Sequence, residues 1–138
     1  MARQQEERNI QYVRDLYAAS MSGNWATAAS MLTDDFFVTE ADTMPFAGVY
    51  RGRTGLQELY TKVMSMVSAK DLQIHHITAG GDVVVVLLDI VLDTTPETRA
   101  PIAEVFYFRG GAVCEIKPYY FTPTPMINAV ALKKRGGR

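Results

Sequence analysis

From Asp71 to Phe121 the chain reads as strand after strand, joined by connections too short to hold a helix. Asp71 to Thr78 is a strand, Gly80-Gly81-Asp82 a turn, and Val83 to Asp93 a long strand of the kind buried on both faces. Thr94 to Arg99, with Pro96, is a loop. Pro101 to Phe108 and Ala112 to Phe121 then form a hairpin around Arg109-Gly110-Gly111. This is an antiparallel meander. Pro123 and Pro125 end the sheet, and a short basic tail follows from about residue 126.

The first half is helical. Ile10, Val13, Leu16, Tyr17 and Met21 recur at helical spacing and predict a helix from about Glu6 to Ser20, ended by Gly23. Asn24 is placed to cap a short second helix with Trp25, Ala28, Ala29 and Leu32 on its stripe, broken by Thr33-Asp34-Asp35. Phe36 to Glu40 is a strand. A loop from Glu40 to Leu56 follows; its length marks it as functional. Thr54 and Gln57 have capping-box spacing ahead of a third helix, whose stripe is Leu56, Leu59, Tyr60, Val63, Met64 and Val67. The order ααβαββββ predicts an α+β fold, a curved antiparallel sheet wrapped around three N-terminal helices with a cone-shaped cavity open at one end.

The 138 residues read as one domain, 1–138, and the net charge of −1 lacks the basic footprint of a nucleic-acid binder. No apolar run is long enough to span a bilayer, and the charged start lacks the core of a signal peptide. The single cysteine, Cys114, makes no intrachain disulfide, so a cytoplasmic setting is expected. Lys133, Lys134, Arg135 and Arg138 read as a solvated tail. No clustered metal-ligand spacing or phosphate loop is present, and no cofactor is expected.

Two registers are open to the last hairpin. A two-residue loop pairs Arg109 with Ala112 and sets Glu104 against Lys117. A three-residue loop pairs Phe108 with Ala112 and sets Glu104 against Ile116, on one face with Ile102, Phe106, Phe108, Cys114, Pro118 and Tyr120. The second sorts the residues better, because Glu115, Lys117 and Tyr119 then share the other face. In the preceding strand Val84, Val86, Leu88, Ile90 and Leu92 form a wholly apolar set, assigned to the helix side with Glu104. Asp89 falls on the outer face, where Val83, Val85, Leu87, Val91 and Val105 suggest an interface between subunits. Glu104 is then an ionisable group on an apolar inner face, where desolvation raises a carboxyl's pKa.

The element order, Pro45-Phe46-Ala47-Gly48-Val49-Tyr50-Arg51-Gly52-Arg53-Thr54-Gly55-Leu56 and the ending Arg109 to Phe121 together resemble the SnoaL-like branch of the NTF2-like superfamily, from about Ile10 to Thr124. The resemblance implies a cystatin-like cone, a homodimer formed through the sheet, and an apolar small molecule in an internal pocket. Ketosteroid isomerases, polyketide cyclases, epoxide hydrolases, dehydratases and non-enzymatic members share that fold. By this likeness Glu40 falls at the general-base position and Glu104 at that of a protonated acid in an oxyanion hole. Tyr60 matches a supporting tyrosine. The oxyanion tyrosine falls at Leu16, with Tyr17 one helical step, about 100°, away. Thr122 stands where many members have an aspartate.

Glu40 at its strand end and Glu104 on the pocket wall thus form a candidate acid–base pair for isomerisation, cyclisation or dehydration of a carbonyl compound, with Asp42 as an alternative base. A pocket of a few hundred cubic ångströms is expected between them. Leu16, Tyr17, Trp25, Met44, Phe46 and Tyr60 are candidate ligand contacts from the helices and the loop. Met64, His76, Val86, Leu88, Phe106, Ile116 and Tyr120 are candidates from the third helix and the sheet. The competing reading is a non-catalytic module that binds a ligand or dimerises.

Overall fold

A computed structural model describes residues 2–136. In chain order it contains α1 (Ala2–Met21), α2 (Trp25–Ser30), β1 (Leu32–Glu40), β2 (Gly48–Arg51), α3 (Gly55–Met66), β3 (Ala69–Gly80), β4 (Val83–Leu92), β5 (Thr98–Arg109), β6 (Ala112–Tyr120) and α4 (Thr124–Lys134). The six strands form one open, curved sheet in the order β2-β1-β6-β5-β4-β3. Neighbours are antiparallel except β1 and β6, which run parallel. One face is covered by helices: α1 packs on β3 and β4, α3 on β1 and β2, and α4 bridges α3 and β5.

The helices form where their apolar stripes predict. Val13, Leu16, Tyr17 and Ser20 are buried along α1. Gly23 turns the chain at φ +76°, and the Asn24 side chain accepts from the Thr27 N–H at 3.3 Å, capping α2. The capping box at Thr54 does not form; Thr54, just ahead of α3, already has right-handed helical backbone angles, makes no side-chain cap, and its hydroxyl meets the Glu58 carboxylate at 3.2 Å instead. Gly55 is required by contact. A Cβ there would lie 2.8 Å from the Tyr50 carbonyl carbon and oxygen, so α3 starts directly against β2.

Four elements differ from the sequence reading. Thr33-Asp34-Asp35 does not interrupt the chain but opens β1, with Asp34 and Asp35 exposed and paired to Arg53 and Arg109. The long loop contains β2, which folds back on the end of β1 and pairs Glu40 with Gly48. The segment after Pro123 forms α4, since proline is tolerated in a first helical turn; Met126, Ala129 and Val130 are buried on it. Lys133 donates to the carbonyls of Met64 (2.9 Å) and Val67 (3.2 Å), which lie at the end of α3.

The fourth difference is the last hairpin. Gly110 and Gly111 both have positive φ, +61° and +80°, so the loop has two residues and Arg109 pairs with Ala112. A bulge at Cys114 then shifts the register, and Phe106 meets Ile116 while Glu104 meets Pro118. Val113, not Cys114, is the buried residue opposite Phe108. The extra residue restores parity, so Glu104 still shares the inner face with Phe106, Ile116, Pro118 and Tyr120.

Candidate functional site

Each of two inner-face strands supplies one carboxyl. On β1, Phe36, Val38 and Glu40 alternate inward and are buried. Val38 lies opposite Ile116, and Glu104 lies opposite Pro118, two residues further along β6. Glu40 is likewise two residues beyond Val38. Both carboxyls therefore lie on the concave face on either side of β6, Glu40 just past the last β1–β6 pair, where the two strands begin to separate.

Their surroundings differ. The Tyr17 hydroxyl donates to Glu104 Oε1. Glu40 is 5% exposed, and its Oε1 has no hydrogen-bond partner among the described residues. Burial pushes the Glu40 carboxyl up to about 8, and the charge on Glu104 adds to the shift. Glu104 is also raised by burial, while the Tyr17 hydrogen bond pulls it back down. Tyr17, Tyr60 and Tyr120 are all held above the usual tyrosine range, by burial first and the nearby carboxyls second, so they remain protonated donors. Glu104 keeps some accessible surface because it borders a small cavity.

That cavity is about 30 Å³, room for about two water molecules, not the expected few hundred cubic ångströms. Of the candidate residues, Leu16, Tyr17, Tyr60, Phe106, Ile116 and Glu104 line it, and Glu40 does not. Tyr17 is not turned away by its helical step: residues 16 and 17 both fall within the broad buried face of α1. Ser20, Val38, Leu56 and Leu59 also line the cavity and are not among the predicted contacts. Their signals were available, since Ser20 is one turn beyond Leu16, Val38 shares Glu40's parity, and both leucines lie on the α3 stripe.

The other candidates lie elsewhere. Asp42 is exposed in the loop after β1. Met64 is 46% exposed on α3. His76 is exposed, because a bulge after Ile74 pairs it with outward-facing Leu87 and breaks the alternation it was read from. Trp25 packs edge-on against the Tyr60 ring at 5.1 Å, bracing a cavity residue without lining the cavity. Val86 and Leu88 are core residues of β4. Phe46 is fully buried and packs on Tyr120, while Met44 and Tyr120 border a different, larger cavity. On the outer face, Asp89 meets His75 at 3.1 Å and Arg99 at 3.5 Å, as the strand parity predicts. Val91 is buried within the chain. No group of three or more potential metal ligands occurs among the described residues. No helix among them is long and apolar enough to cross a membrane.

A model of the SnoaL-like domain matches residues 13–116. No curated protein sequence matches the chain. Among solved structures, an NTF2-like protein of unknown function from Burkholderia pseudomallei is similar, with a TM-score of 0.78 and 19% identity over 89% of this chain and 97% of that one. TerC co-crystallised with polyporic acid is similar at TM-score 0.77 and 15% identity, over 90% and 98% of the two chains. An epoxide hydrolase of the LEH-like type from M. tuberculosis reaches 0.65 at 16% identity, over 96% and 98%.

Proposed function

The chain belongs to the SnoaL-like domain family, and from that premise we propose that its interior binds a small apolar carbonyl compound and transfers protons on it with Glu104 and Glu40. One observation carries the reading: Glu104 accepts a hydrogen bond from Tyr17, whereas the buried Glu40 Oε1 has no partner among the described residues. A donor at Glu104 favours its ionised form, and desolvation keeps the proton on Glu40. Glu104 is then the base and Glu40 the acid, the reverse of the roles that the family resemblance implies.

In the proposed step the Glu104 carboxylate removes a proton from the carbon next to the carbonyl. The electron pair moves to the carbonyl oxygen, which takes the Glu40 proton. Glu104 returns its proton to a second carbon as the enol proton goes back to Glu40, leaving an isomer and both carboxyls as they began. The Ser20 hydroxyl, also buried with no partner among the described residues, adds a polar group at the cavity wall. One neighbour of this fold is named an epoxide hydrolase and another was co-crystallised with polyporic acid, which supports a small molecule as the ligand.

The volume favours a second reading, a non-catalytic binding module, because about 30 Å³ admits no carbonyl compound without expansion. Conversion of 3-cyclohexenone to its conjugated isomer distinguishes the two. The enzymatic reading predicts turnover that Glu104→Gln lowers by about 10²-fold or more. Binding of the ketone with no turnover supports the module instead. We also propose a homodimer through the outer sheet face, where Leu87 is 45% exposed among half-buried Val83, Val85 and Val105.

A further inference from the structure

A second cavity, larger than the interior one, borders neither Glu40 nor Glu104. It measures about 210 Å³ and lies where β1 and β6 separate. Their ladder ends at Val38–Ile116, just before Pro118, which has no N–H to extend it. The two strand ends, the loop from Ala41 to Met44 and Pro123 border the space. It shares no lining residue with the interior cavity.

We propose that this fork is a second binding site, taking a small organic anion with a carboxylate head and an apolar body. The head belongs on Lys117. That side chain is half-buried, and its ammonium has no carboxylate partner within ion-pair distance among the described residues. The ammonium lies 5.6 Å from the Tyr119 ring centroid, which fixes it over an aromatic face at the cavity edge. Thr39 and Thr43 also line the cavity and bring hydroxyl-bearing side chains to it. Met44, Pro118 and Tyr120 supply the apolar floor. Apolar walls lower the local dielectric and strengthen the ammonium–carboxylate attraction, so the site discriminates by charge as well as by shape. Glu115 shares the outer face two residues away, and its charge opposes a ligand bound outside the fork.

The test is an amide NMR titration of the full chain with benzoate and with its neutral counterpart benzamide. Benzoate is expected to shift Thr39, Thr43 and Tyr119 saturably, and benzamide to bind about tenfold more weakly or less. Lys117→Met keeps the apolar stem and should weaken benzoate by about tenfold or more. Thr43→Val, on the exposed loop, should weaken it by a smaller factor, and Glu104→Gln should leave it unchanged. The site is refuted by an absence of saturable shifts, by equal binding of benzamide, by undiminished binding to Lys117→Met, or by shifts centred on Tyr17 and Phe106.

Discussion

Glu40 is the residue on which the chemistry turns. Its carboxyl is raised from 4.5 to about 8 in the fold. Below pH 4.5 it is protonated both folded and unfolded, and the shift has no effect on stability. As pH rises from there through about 8, the unfolded chain gives up this proton while the folded chain holds it. The folded state therefore loses stability across that window, by up to about 5 kcal/mol. Glu40→Gln removes the titration. Thermal melts should show the variant gaining on the parent protein between pH 5 and pH 8.5, and a parallel pH dependence would refute the assignment.

Glu40 and Glu104 were both legible as candidates, one from its place at a strand end and one from strand parity. The division of labour between them was not. It depends on where the Tyr17 hydroxyl reaches, and helical spacing gives the direction of a side chain but not the end-point of a long one. Asp42 and His76 show the converse. A short polar side chain in a loop has no period to be read from, and a bulge reverses parity with no signature in the residues around it.

At the level of elements, α1, α3 and the four late strands could be read from periodicity because each has several turns or alternations, and the six-residue α2 from Asn24 at its start and its short apolar stripe. β2 and α4 could not. Four residues from Gly48 to Arg51 are too few to show alternation, and Pro123 and Pro125 mark a sheet's end as readily as a helix's start. The contact of β2 with α3 makes a prediction. Gly55→Ala would put a Cβ 2.8 Å from the Tyr50 backbone, where neither side is a flexible side-chain end. Strand or helix must shift, so chemical denaturation should show a loss of about 1–3 kcal/mol. An unchanged midpoint would mean that the junction is looser than the structure has it.

At the scale of the whole molecule, the helices close one face of the sheet and leave the other uncovered. Leu87 is exposed near the middle of β4 and is paired with Ala103 and His76. If this face joins two copies, Leu87→Asp should convert the dimer to a monomer in sedimentation equilibrium, since a buried unpaired charge is costly. A parent protein that is already monomeric removes that proposal and leaves the interior site untouched. The concave side is closed as well, and its small cavity requires expansion before a ligand larger than a few waters enters.

A base at Glu104 and an acid at Glu40 require that the two buried carboxyls hold their protons unequally, Glu104 releasing first and Glu40 last. Site-resolved carbon-13 NMR titration of the two side-chain carboxyls reads this directly. Glu104 should titrate at the lower pH and Glu40 near pH 8, with Tyr17→Phe moving Glu104 upward. Glu40 titrating near 4.5, or losing its proton before Glu104, would overturn these roles.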